Sequence, residues 1–157
     1  MMDDPFTPML KASTLLSFDD LNAWCCNHIW LHKPPLFLWQ MALSMKIFGV
    51  SLLAMRLPSI LMGTVMIWLL FRTTVRLTGN TNTALLAATL LSFSHFHLIL
   101  TAGIKGMDHN DIAFGFYVLA SFWAWLEYTL SGGKWNWAIL TGLLAGCAVL
   151  NKWLTGL

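Results

Sequence analysis

A few ionisable side chains carry the chemistry this sequence can offer. Asp108 and Asp111 stand three residues apart, so at a helix start they share one face. Carboxylates there have two uses: they favour the dipole at a helix N-terminus, or they take a proton from an attacking group. Lys33 precedes Pro34-Pro35. A lysine before a helix is most often a solvated anchor, but beside a membrane its ammonium can grip a phosphate as a point charge. Asp3-Asp4 is a further acidic pair, either a solvated end or part of the same chemistry. His32, Lys105 and Lys152 stand near these groups along the chain or on the same expected membrane face. His95 and His97 are two apart and do not share a helix face, so packing or interhelical hydrogen bonding suits them better than metal ligation. Cys25 and Cys26 are adjacent, Cys147 lies in an apolar run, and no Cys/His spacing forms a metal site.

These groups need elements to hold them, and composition sets the solvent. The chain has 157 residues, 57% hydrophobic and 10% charged. A soluble domain carries about 25% charged residues, and a chain this short could not hide so much apolar surface from water. A bilayer is the simplest solvent. Nine Trp and ten Phe agree with it, because aromatic rings favour membrane interfaces. A net charge of +2 without a basic run excludes nucleic acid as a partner.

Charge placement divides the chain into apolar blocks. A spanning helix needs about 20 mostly apolar residues. Spans are expected near 56–76, 83–103, 111–130 and 135–154, with Arg56, Arg72 and Glu127 snorkelling at the ends. Thr78-Gly79-Asn80 and Ser131-Gly132-Gly133 are turn clusters between them. Gly142 and Gly146 form a GxxxG that allows close helix contact. The stretch 36–48 follows two prolines and is too short for a comfortable span, so an interfacial helix is expected. The fold class is therefore all-α: a polytopic membrane protein of about four transmembrane helices plus an interfacial helix.

Arg72, Arg76 and Lys134 lie in the first and third connections, which the positive-inside rule places in the cytoplasm. Residues 1–55 and the connection with Lys105, Asp108 and Asp111 then face outward. Ionisable groups beside a membrane are a functional hypothesis by default. Met1-Met2-Asp3-Asp4 has no basic n-region and no apolar h-region. The expectation is of a longer protein, with a helix before Met1 and more helices after Leu157.

An ordered set of short motifs carries a resemblance. His32-Lys33-Pro34-Pro35-Leu36, Phe48-Gly49 and Arg56-Leu57-Pro58-Ser59 follow one another at tight spacing. Gly106-Met107-Asp108-His109-Asn110-Asp111 and Leu150-Asn151-Lys152-Trp153-Leu154-Thr155-Gly156-Leu157 come after them. The series resembles the GT-C glycosyltransferases of the protein mannosyltransferase and aminoarabinose transferase type, over nearly the whole chain from about residue 3. The resemblance implies the N-terminal part of a single GT-C transmembrane domain in a bacterial plasma (inner) membrane. It implies transfer of a sugar from a polyprenyl-phosphate donor to a lipid, glycan or protein acceptor at the outer face. It makes Lys33 the contact to the lipid phosphate, and Asp3 and Asp4 the acidic pair of the first outer loop, where the family usually has Asp-Glu. Asp111 matches the Asp that opens the next helix, with Asp108 as its rival, and His32, Lys105, Asp108 and Lys152 are supporting groups. No cofactor is assigned; a divalent cation stays open. This part of the enzyme alone is expected to be inactive.

The residue types suit that chemistry. Breaking a sugar–phosphate bond leaves negative charge, which a cation stabilises most where water is excluded. The acceptor loses a proton, which a carboxylate within hydrogen-bond reach takes. A transporter or channel would instead carry ionisable groups at mid-span, and these blocks have almost none. A non-catalytic membrane assembly subunit would show no coupling between Asp3 or Asp4, Lys33 and Asp111.

Overall fold

The computed structural model describes residues 35–102 and 110–152. Every regular element among them is a helix. In chain order these are α1 (Leu36–Phe48), α2 (Leu52–Thr78), α3 (Thr81–Ser92), α4 (His95–Ala102), α5 (Asn110–Leu130) and α6 (Trp135–Lys152). α2 is the central element: α1, α3, α4 and α5 all pack against it, while α6 packs mainly on α5.

α2 holds 27 residues, a length of about 40 Å against a hydrocarbon core of about 30 Å. It is the one helix among the described residues that is long and apolar enough to cross a membrane alone. α3 and α4 meet that measure together, as a pair bent by 55°. The uncharged block at 83–103 is therefore not the continuous helix that its composition predicts. The break falls at Phe93-Ser94, where serine side chains compete for backbone groups. Ser94 N–H turns back to the Leu91 carbonyl at 3.1 Å, a tighter turn than the α-helix makes. The Ser94 hydroxyl then accepts from the His97 N–H at 3.5 Å as α4 begins. α5 and α6 fall short of a spanning helix on hydropathy, lowered by Asn110, Asp111 and Glu127 in α5 and by Asn136, Asn151 and Lys152 in α6.

Alanines supply much of the buried apolar surface, and many large side chains point outward. Ala84, Ala113 and Ala124 are fully covered, whereas Leu61, Leu86, Leu90, Phe96, Trp135 and Leu143 are exposed. Helix contacts through small residues are the habit of chains whose solvent is itself apolar. α2 and α4 approach closely at Gly63. A Cβ added at Gly63 would meet Thr101 Oγ1 at 2.6 Å. Ser59 on the same face is fully buried, and its hydroxyl donates to the Thr101 carbonyl at 3.2 Å. A Cβ at Gly142 or Gly146 meets nothing within 4 Å among the described residues. Gly63→Ala is expected to destabilise the protein by about 1–3 kcal/mol through overpacking. The unfolding temperature in detergent measures this, and an unchanged value would show that Thr101 yields freely.

α1 is tied to the bundle by polar bonds. Pro58 lies inside α2 and has no N–H to give the Ala54 carbonyl four residues back. That carbonyl instead accepts the Ser44 hydroxyl of α1 at 2.6 Å. Gln40 of α1 donates to the Tyr117 hydroxyl of α5, and Phe37 is buried. At the other end of α2, Gly79 takes a left-handed φ of 66°, and its N–H closes the helix on the Val75 carbonyl. Asn80 then caps α3, its side chain accepting from the Asn82 and Thr83 N–H groups.

Candidate functional site

The first turn of α5 lies beside the last turn of α6, and two side-chain bonds join them. Asn110 Nδ2 donates to the Asn151 carbonyl at 2.8 Å. Helix C-termini leave such carbonyls without an intrahelical partner, so Asn110 closes the end of α6 from outside. One residue along each helix, Lys152 Nζ lies 2.5 Å from Asp111 Oδ1. Both charges suit their helix ends: an acid in the first turn of α5 and a base in the last turn of α6. The ammonium also lies over the Phe114 ring, 5.9 Å from its centroid.

The pair is reachable. The side chains of Lys152 and Asp111 are 44% and 36% exposed, whereas Asn151 beneath them is fully buried. Neither side-chain polar atom of Asn151 has a hydrogen-bond partner among the described residues. The arrangement is thus a carboxylate held by an ammonium at the surface, above a buried amide with open valences. Chemically it can accept a proton at the carboxylate and attract an anion at the ammonium.

Of the residues that the sequence nominates, Asp111 and Lys152 are described and stand together. Asp3, Asp4, His32, Lys33, Lys105 and Asp108 lie outside the described residues. Asn110 and Asn151 stand in the motifs quoted above but are not among the nominated site residues. Their signal was present as two parallel dipeptides, Asn110-Asp111 and Asn151-Lys152, which the antiparallel helices bring face to face.

A second ionisable group occupies the far end of α5. Glu127 is expected to snorkel, yet it is 6% exposed. It accepts from Arg76 Nε at 2.9 Å, and Arg72 Nη2 is 3.9 Å from the same oxygen. Sixteen residues separate it from Asp111, about 24 Å of helix. Burial of a carboxylate requires such pairing. The arginines reach Glu127 from α2, so the snorkelling groups have become an interhelical ion pair.

Comparison with known proteins adds a line independent of this geometry. The family model described as dolichyl-phosphate-mannose-protein mannosyltransferase matches residues 32–157. An uncharacterized protein of Aquifex aeolicus is 37% identical over 131 residues, 82% of this chain and 25% of that protein. The undecaprenyl phosphate-alpha-4-amino-4-deoxy-L-arabinose arabinosyl transferase of Pseudomonas aeruginosa is 31% identical over 155 residues, 96% of this chain and 27% of the relative. The transferase of the same name in Pseudomonas paraeruginosa matches equally, at 31% over 155 residues. The chain thus spans about a quarter of the length of these relatives. No solved structure matches it.

Proposed function

This chain belongs to the dolichyl-phosphate-mannose-protein mannosyltransferase family, and from that premise we propose that it is part of a membrane glycosyltransferase. The enzyme moves a sugar from a polyprenyl-phosphate donor to an acceptor at the outer membrane face. The observation that carries this reading is the Asp111–Lys152 pair at a solvent-reachable helix end. The names of the Pseudomonas relatives supply the donor class, an undecaprenyl phosphate sugar.

The reaction divides between two kinds of group. The bond from the anomeric carbon to the phosphate oxygen breaks, and its electron pair leaves with the lipid phosphate. Lys33 is the cation assigned to that charge. The acceptor forms the new bond to the anomeric carbon and gives up its proton. Asp111 is the carboxylate assigned to take it, with Asp3 and Asp4 as the acidic pair of the first outer loop. Lys152 positions Asp111 and keeps its oxygen aimed. His32, Lys105 and Asp108 are supporting groups in the same reading.

In this reading α2, the α3–α4 pair, α5 and α6 cross a bacterial plasma membrane, and α1 lies at its outer boundary. The outward-facing large side chains support it. Arg72, Arg76 and Lys134 mark the cytoplasmic end. Single cysteines at Asn82 and Ser131, in a background without native cysteines, should resist an impermeant thiol reagent in intact cells. One at Lys105 should react. Labelling at Asn82 from outside would invert the orientation and part Asp111 from an outer-face donor. The activity itself is tested by sugar transfer in membranes carrying the full-length protein, across several polyprenyl-phosphate sugars. No transfer from any of them, with the protein present and folded, would overturn the proposal.

A further inference from the structure

The two arginines at the far end of the bundle do more than neutralise Glu127. Arg72 and Arg76 face one carboxylate, which leaves one positive charge in excess. Asp111 and Glu127 are the only acids among the described residues, and Asp111 is at the other end of α5. Lys134, in the turn after α5, adds to the same sign. Arg76 gives its Nε–H to Glu127 at 2.9 Å. Arg72 does not follow it: its nearest nitrogen is 3.9 Å from that carboxylate oxygen, beyond hydrogen-bond range. Its Nε is buried with no hydrogen-bond partner among the described residues.

Arg72 is nonetheless held in place. Its guanidinium lies over the Trp68 ring, 5.8 Å from the centroid. Trp68 meets Trp123 edge-on at 5.9 Å, and Trp123 meets Trp137 at 5.3 Å. A guanidinium fixed by stacking, with its side chain 43% exposed, keeps its terminal N–H donors for another acceptor. Arg72 and Arg76 line a cavity of about 260 Å³ together with Phe71, Val75 and Thr81. Its walls are apolar apart from the two cations and one hydroxyl.

We propose that this cavity binds the phosphate of an anionic lipid headgroup. A guanidinium fork matches phosphate oxygens in pairs, and basic pockets between helices at the cytoplasmic side of a membrane suit such headgroups. The apolar walls favour a lipid over a free anion, since they cover the first carbons beyond the phosphate. The site rests on α2 as a membrane helix and not on sugar transfer, so the two stand or fall separately.

The test uses the purified full-length protein, stripped of lipid in detergent, with its unfolding temperature followed during three titrations. Phosphatidylglycerol should raise it, phosphatidylcholine should leave it unchanged, and inorganic phosphate should act only at much higher concentration. Arg72→Gln should need about tenfold more phosphatidylglycerol for the same shift, the loss expected of a charged hydrogen bond. Arg72→Lys keeps the charge without the fork and should lie between. If Arg72→Gln fails to fold, Arg72→Lys carries the comparison. Equal responses to the two lipids would overturn the site. So would a phosphatidylglycerol midpoint that neither variant moves. Inorganic phosphate as effective as the lipid would replace the headgroup with a free anion and overturn the lipid assignment.

Discussion

Under the proposed function, Asp111→Asn is expected to lower sugar transfer by the full-length protein by about 10²–10⁴-fold, the usual contribution of a positioned general base. The substitution keeps the size of the side chain and removes its capacity to take a proton. Its structural cost should be small. The Asp111–Lys152 pair is more than a third exposed on both sides, and such pairs contribute about 0–1 kcal/mol to stability. That loss cannot account for several orders of magnitude in rate. Lys152→Ala separates positioning from proton transfer. It leaves the carboxylate but removes what aims it, so turnover should fall less than with Asp111→Asn. The measurement is the maximal rate at saturating donor, with an unfolding temperature for each variant. Wild-type turnover by Asp111→Asn would reduce the pair to a clamp between α5 and α6.

Lys33→Ala should cost about ten- to a hundredfold in donor affinity or rate, from the loss of a hydrogen bond to a charged phosphate. The motive lies in the sequence: a single ammonium directly before Pro34-Pro35. Lys33→Arg should recover part of the activity, because the charge returns on a larger, planar group. Lys46→Ala is the control. Lys46 is exposed in the last turn of α1 and should change nothing. Transfer rate against donor concentration distinguishes the variants. Superimposable curves for wild type and Lys33→Ala would leave Lys33 as a membrane anchor.

The uncharged blocks of the sequence mark where the helices run, because charge is the costliest thing to place in an apolar setting. Gly79 and Asn80 likewise announce a stop and a start through local backbone chemistry. What the sequence hid is what depends on distant partners. Glu127 reads as a helix-end acid until Arg76, fifty-one positions away, is seen beside it. Asn110 and Asn151 are forty-one apart and carry no local sign of contact. The break at Phe93-Ser94 was visible only as two serines in an apolar run, a signal that hydropathy averages away. Gly142 and Gly146 have spacing that allows close contact, while among the described residues the close approach is at the solitary Gly63.

For the candidate site, the acid and the base were legible by type and the pairing was not. Asp111 stands out because it opens a helix after an ionisable cluster. Lys152 stands out because it closes an apolar block. Their meeting follows from α5 and α6 running antiparallel through a short turn, with register set by packing along their whole length. Side-chain type can be read residue by residue, but register is a property of two faces together.

The bond from Ser44 to the Ala54 carbonyl also bears on how this sequence can change over time. Ser44 meets a need that Pro58 creates. If position 58 regained an N–H, the carbonyl would find its partner within α2, and Ser44 would be free to drift. If Ser44 were lost first, a buried carbonyl would stand without a donor. The order of replacement therefore matters: the proline can go before the serine, but not after it without passing through a weakened form. Two positions fourteen apart, on different helices, thus form one heritable unit, and variation at the serine is permitted or forbidden by the ring at the other.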